Sequence, residues 1–333
     1  MTFSQSELAK MLKNPKSYAS PPKSIKLLET DSSYLLEGDE WLYKIKKEGN
    51  EFPTLAVKEA YCHEECKLIQ SFNPNWTSTV LTILEQNGGI KIGGTEGEPV
   101  EYALKMEKLR EERLLSVLLE NETVTKNNIT IIAGRISEIH LNNPAKDKAA
   151  ESGKAESFRA LCDDMLFQMK RYFDASLTQP ILDMIRHPLE KFIDQNKRLF
   201  SKRHQKGRIV HGHGAFLPEH IFVSDKVVHF ISPQEVHRKL ADLDVANDVS
   251  SLTVELTRMG KHDLAEIFLN NYIEISNDLD LKKILPLYQT YCALKHGVRT
   301  CELKVARQDE KMNILAMEYF NLAVNFSREI PRV

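Results

Sequence analysis

Residues 209–236 read IVHGHGAFLPEHIFVSDKVVHFISPQEV, and the reading of this stretch decides the fold. Two apolar runs of β type, 221–223 and 227–231, flank the turn Ser224-Asp225-Lys226, the pattern of a hairpin. A glycine- and histidine-rich loop, His211-Gly212-His213-Gly214, leads into it. Glycine lets a backbone approach a ligand closely. Loops held against rigid elements are where phosphate and metal chemistry is usually placed.

Outward to the N-terminal side, the chain alternates. Runs 25–28, 33–37 and 41–46 read as strands, with Gly38-Asp39 as a turn, so they form an antiparallel meander. On the third strand Tyr43 and Ile45 share one face, and Lys44 and Lys46 the other. A helix is expected over 54–72. Tyr61, Cys62, Glu65, Leu68, Ile69 and Phe72 fall on one stripe of it at three- and four-residue spacing. Glu65 is then either an inward carboxylate, which needs a cation partner, or an edge residue reaching solvent. A lysine of the preceding strand is the candidate partner. Strands return at 80–84, 90–92 and 101–106, the first two joined through Asn87-Gly88-Gly89. Residues 20–107 thus form a mostly antiparallel sheet with one inserted helix. Residues 1–19 precede it as a helical extension, amphipathic over 5–18 and ending near Pro15.

Residues 108–333 read as a helical lobe that contains the loop and hairpin of 209–236. Helices are expected at 127–142, 158–175, 179–200, 246–259, 262–276, 280–299 and 305–327. The small, polar and charged stretch 145–157 reads as a mobile loop. Leu285, Tyr288, Tyr291, Leu294 and Val298 make an apolar stripe suited to a core. The run around Phe320, Val324 and Phe326 fits packing within the chain or against a second copy, so oligomeric state stays open.

The composition is that of a soluble globular protein: 333 residues, 42% hydrophobic, 28% charged, formal net charge −2. Such a balance provides no positive field for nucleic acid or an anionic membrane surface. No apolar run spans a bilayer, and the N-terminus lacks an apolar signal core, so the cytoplasm is the expected location. Five scattered cysteines do not form a disulfide framework, and small buried core residues are the expectation for them.

A small sheet lobe with one inserted helix, then a helical lobe with loop and hairpin, resembles the two-lobed α+β protein-kinase-like fold of the aminoglycoside phosphotransferases. Tyr43-Lys44-Ile45-Lys46-Lys47, Cys62-x-Glu64-Glu65 and Tyr102-Ala103-Leu104-Lys105-Met106-x-x-Leu109 resemble segments of a bacterial family with an aminoglycoside-phosphotransferase-like domain. Gly212-His213-Gly214-Ala215-Phe216-Leu217-Pro218-Glu219-His220-Ile221 is similar to that family's G-H-G-D-L-R-P-E-H-I block. Gln234-Glu235-Val236 and Asp242-Leu243-Asp244-Val245-Ala246-Asn247-Asp248-Val249 resemble its I-E-F and I-D-x-A-x-D-L segments. The resemblance runs in order over residues 20–310. It implies that Lys44 holds the α/β-phosphates of ATP, that Glu65 fixes Lys44, and that Met106 and its neighbours form the hinge that receives adenine. It also makes residues 213–220 the catalytic loop, and Asp242, Asp244 and Asp248 structural ties between that loop and the next helix. Some family members carry a further P-loop domain, but the G-x-x-x-x-G-K-[ST] pattern is absent here.

Two positions depart from the pattern. The aspartate that orients or deprotonates the acceptor hydroxyl is Ala215, and a methyl group does neither. The aspartate that holds Mg²⁺ falls on Ser232, followed by Pro233, and a neutral hydroxyl is a weak Mg²⁺ ligand. His220 replaces the asparagine of ordinary phosphotransferases, as in the relatives. The expectation is a pseudokinase: catalytically inactive or severely impaired, with nucleotide binding retained and Mg²⁺ in doubt. The alternative is an active small-molecule phosphotransferase that uses Glu219 or Glu235 as displaced acids, or His213 through a two-residue slip. A second alternative is a metal site built from His204, His211, His213, His220, His229 and His237, although their spacing matches no zinc motif. A purely structural or interaction protein is the third class.

Overall fold

The structure is a computed structural model that describes residues 3–30, 32–48, 54–173, 177–224, 227–231 and 242–332. Two compact units result: Met1–Arg113 with His229–Glu235, and Leu114–Val228 with Val236–Val333.

In the first unit, helix α1 (Gln5–Met11) starts at a complete capping box between Ser4 and Glu7. It ends earlier than its sequence pattern predicts. Pro15 cannot continue it, and a separate 3₁₀ turn, Pro15–Ser17, follows. Strands β1 (Lys26–Glu29), β2 (Ser33–Glu37) and β3 (Trp41–Lys46) precede helix α2 (Leu55–Phe72). Strands β4 (Ser78–Gln86), β5 (Gly89–Ile92) and β6 (Glu98–Glu107) follow it. They form one six-stranded sheet in the order β1-β2-β3-β6-β4-β5. Asn87 and Gly88 take φ of 52° and 74°, the left-handed conformations of a two-residue hairpin turn.

Period-two alternation directs Tyr43 and Ile45 into a core with Leu36, Ile83 and Ala103, and Leu8, Leu12 and Tyr18 of the N-terminal segment complete that core. A second cluster, Cys66, Ile69, Trp76, Leu104 and Met106, joins α2 to the sheet, and Ile231 packs on it. Asn73 fastens the returning chain. Its amide Nδ2 donates to the Phe230 carbonyl (2.7 Å), and the Phe230 N–H donates to its Oδ1 (2.8 Å).

The second unit is mainly helical. Helices α3 (Leu115–Glu120), α4 (Lys126–Asn142), α5 (Asp147–Ala150), α6 (Ala155–Met169), α7 (Gln179–Gln195) and α8 (Lys197–Gln205) lead to strand β7 (Ile209–His211). Strand β8 (Ile221–Val223) follows; β9 (Val228–Phe230), the second strand of the expected hairpin, carries the chain into the first unit at His229, and β10 (Asp242–Asp244) pairs antiparallel with β7. Helices α9 (Ala246–Arg258), α10 (His262–Ser276), α11 (Leu281–Arg307) and α12 (Met312–Glu329) complete the unit.

Further sequence expectations are corrected here: the helix expected over 179–200 is two, parted at Asn196 into α7 and α8. Residues 145–157 are not a loop but carry α5, a 3₁₀ turn and the first turn of α6. Their small side chains serve close packing: a Cβ on Gly153 would lie 2.2 Å from Ile209 Cδ1. The break expected between 299 and 305 is also absent. Helix α11 runs through it and stops at Gln308, whose φ of 53° is left-handed. Tyr288, Tyr291 and Leu294 are buried as their stripe predicts, and Phe320, Val324 and Phe326 are buried within the chain.

Candidate functional site

In the first unit, β3 and α2 present an ion pair. Lys44 Nζ donates to Glu65 Oε1; the lysine side chain is 13% exposed and the glutamate 1%. Glu65 is buried because Lys58, Cys62, Glu65, Cys66, Ile69 and Phe72 form the inward stripe of α2. Of the two sequence alternatives for Glu65, the inward one is observed. Its second oxygen, Oε2, is buried with no hydrogen-bond partner among the described residues. Burial, reinforced by the Glu65 and Glu101 carboxylates, pushes the Cys62 thiol up to about 12.

Strand pairing sets Lys44 opposite Leu104, and Leu42 opposite Met106, so the proposed lysine and hinge positions lie on adjacent strands. Met106 is buried. Beyond it, the end of β6 borders a concavity of about 1090 Å³ walled by Trp41, Glu107, Lys108 and Leu109 among others.

One feature of this unit was not anticipated. Lys58 and Glu101 form a second ion pair, 5% and 1% exposed. Lys58 stands four residues before Cys62 on the same stripe, so helical spacing alone already pointed inward.

In the second unit the glycine–histidine loop is held from beneath. The backbone N–H groups of His213 and Gly214 donate to Asp248 Oδ2 (2.6 Å) and Oδ1 (2.8 Å). Gly214 adopts φ +75°, a conformation that favours glycine. Asp248 also meets His140 Nε2 (3.1 Å), and His140 Nδ1 lies 2.8 Å from the Tyr272 hydroxyl. Burial works to raise the Asp248 carboxyl. The His140 hydrogen bond and charge, with His213, outweigh it and hold the group below its ordinary 3.8. The loop backbone is therefore clamped by an ionised carboxylate. Strand pairing brings His211 to Asp242, with Nδ1 and Oδ1 3.0 Å apart.

Ala215 is half-buried, and its carbonyl accepts from His220 Nδ1–H (2.7 Å) and from the Leu217 N–H (2.9 Å). That bond turns the Nδ1 edge of the His220 ring toward the loop backbone. His213 is 0% exposed, with its ring against Phe216 (5.7 Å) and His220 (6.0 Å). Lys295 Nζ lies 3.4 Å from the Gly214 carbonyl. Glu219 is exposed in the 3₁₀ turn Pro218–His220. Its charge joins burial, the larger cause, in raising Glu255. Ser232, Glu235 and His237 lie outside the described residues.

The histidines are dispersed among other roles. His211 is engaged by Asp242, His229 stacks on Trp76 (5.6 Å, 31°), and His204 is exposed on α8. Among the described residues no group of three or more His, Cys, Asp or Glu side chains is placed to hold a metal ion. Nor, among them, is any helix long and apolar enough to cross a membrane.

Comparison with known proteins bears on the fold. No protein-family model matches the chain. An uncharacterized protein of Mycobacterium tuberculosis is 21% identical over 281 residues, covering 83% of this chain and 55% of that protein. One of Mycobacterium bovis matches with the same figures, so the chain spans about half the length of these curated relatives. Among solved structures, a choline/ethanolamine kinase family protein from Mesorhizobium loti aligns with a TM-score of 0.53 at 12% identity, covering 97% of this chain and 98% of that one. An aminoglycoside phosphotransferase from Alicyclobacillus acidocaldarius aligns with a TM-score of 0.50 at 11% identity, covering 95% and 92%. The chain has the kinase-like fold of the aminoglycoside phosphotransferases and the choline/ethanolamine kinases.

Proposed function

We propose that this chain is a nucleotide-binding protein of kinase-like fold whose phosphotransfer chemistry is lost or severely impaired. The observation that carries this is Ala215: a methyl group stands at the acid position of a loop whose backbone remains clamped by Asp248. An orienting or basic carboxylate contributes roughly 10²–10⁴-fold to such a reaction, and its loss leaves nucleotide affinity largely untouched. The Lys44–Glu65 pair supports the binding half of the reading, because a lysine fixed by a buried glutamate suits a phosphate oxygen. Met106 and its neighbours on β6 supply the adenine hinge. ATP fits this donor set better than Mg²⁺ does, since the Ala215 side chain offers no oxygen and that of Ser232 only a hydroxyl.

A thermal-shift titration with ATP or ADP, with and without Mg²⁺, tests the reading. Nucleotide should raise the melting temperature regardless of Mg²⁺, and Lys44→Met should abolish the effect. Ala215→Asp combined with Ser232→Asp should make the stabilisation Mg²⁺-dependent. Efficient ATP-dependent phosphorylation of a small hydroxylated compound by the native chain would overturn the proposal in favour of an active transferase using Glu219, Glu235 or His213.

A further inference from the structure

We infer that Gln5, in the N-terminal helix, is a positioning residue for the Lys44–Glu65 pair, acting through a buried amide–carboxylate–ammonium trio. The inference rests on the preceding reading of that pair as the phosphate grip.

Gln5 opens a short helix yet is only 8% exposed. Every bond its amide makes reaches a distant part of the chain. Nε2 donates to the Lys46 carbonyl (2.5 Å) and to Glu101 Oε2 (2.7 Å), while Oε1 accepts from the Glu48 N–H (2.7 Å). Glu101 Oε2 is also the partner of Lys58. One side chain therefore joins the end of β3, strand β6 and, through Lys58, helix α2.

Lys58 precedes Glu65 by seven residues, two turns on the same face, so roughly 10 Å of helix separates them. Lys46, whose backbone carbonyl takes the Gln5 amide, follows Lys44 by two residues on β3. The trio and the Lys44–Glu65 pair are thus two attachments between the same strand and the same helix. Two attachments fix both the axial position and the rotation of α2. The apolar cluster around Cys66 and Ile69 holds α2 to the sheet without directing its charges, and the trio adds a directional attachment beside the ion pair. The helix carrying Gln5 is itself well anchored: Leu8, Ala9 and Leu12 are buried, and the Tyr18 hydroxyl donates to the Leu12 carbonyl (2.8 Å).

A plain structural role, capping the end of β3 through Lys46 and Glu48, makes a different prediction. The readout that separates the two is the acylation rate of Lys44 by acetic anhydride, measured by mass spectrometry, which reports the ion pair without requiring nucleotide. Gln5→Leu keeps the volume and removes the bonds. Lys44 labelling should rise toward that of a Glu65→Gln control, and ADP affinity should fall roughly tenfold, as expected when the competent arrangement is depopulated. Gln5→Glu, which keeps the acceptor for the Glu48 N–H but cannot donate to the Lys46 carbonyl or to Glu101, should raise labelling as Gln5→Leu does. Native labelling in Gln5→Leu overturns the inference and leaves Gln5 as a cap. Raised labelling in a protein that binds no ADP even in native form upholds it and removes the nucleotide reading instead. If Gln5→Leu does not fold, Gln5→Asn, whose amide is one methylene short, carries the same outcomes.

Discussion

Arg203 shows how much a single residue can hold in this chain. It is 1% exposed and binds two carboxylates at once: Nε and Nη2 to Asp244 (2.5 and 2.7 Å), Nη1 and Nη2 to Asp278 (2.9 and 2.8 Å). Asp244 in turn accepts the Ala246 N–H at the start of α9 (2.9 Å). Only a planar fork matches both acids. Arg203→Met should cost about 3–5 kcal/mol in urea unfolding, because two buried carboxylates would lose their main counter-charge. Arg203→Met with Asp278→Asn should recover part of that, and an unchanged midpoint in the single variant would refute the account. Ala215 is the opposite case, a residue with little structural weight whose missing carboxylate decides the proposed function. The proposal for it comes from the sequence, through the resemblance of residues 212–221. The role of Arg203 was not legible there, because it sits in the basic run KRLFSKRHQ, where solvated side chains are the ordinary outcome.

Among the elements, α2 and the hairpin were the most legible, because helical and alternating periods survive whatever packs on them. The strip 145–157 misled because Gly, Ala and Ser mark mobile loops and tight packing alike. Helix α11 shows the same ambiguity at Gly297, which reads as a weak point in a helix. In the fold a Cβ there would lie 2.6 Å from Phe320 Cε1 on α12. Gly297→Ala gains about 1 kcal/mol of helix propensity and loses roughly 1–3 kcal/mol through overpacking of a buried ring. The net effect should be a lower chemical denaturation midpoint with an unchanged m-value. Phe320→Leu in the same chain should relieve it. A stabilised single variant would show that the two helices yield without cost.

At the scale of the whole molecule, the N-terminal segment belongs to the first unit's core and is not an appendage. Leu8, Leu12 and Tyr18 are each at most 3% exposed. Burial of a large apolar side chain contributes about 1.5–3 kcal/mol, so deleting residues 1–20 should destabilise that unit severely. Both tryptophans, Trp41 and Trp76, lie in it, while the second unit is mainly helical. After deletion, the fluorescence transition should therefore move to lower temperature ahead of the far-ultraviolet circular dichroism transition. Coincident, unshifted transitions would contradict this placement. The sequence by itself determined the order of strands and most helices and the stripe of α2 on which Glu65 falls, because periodicity and residue type are local properties. Which charges meet was decided only by tertiary structure. Lys58 finds Glu101, Gln5 finds both Glu101 and Lys46, and Arg203 finds Asp278, across separations that local pattern does not encode. The physical reason is that a buried charge must be paired, and strand register and helix packing determine with what.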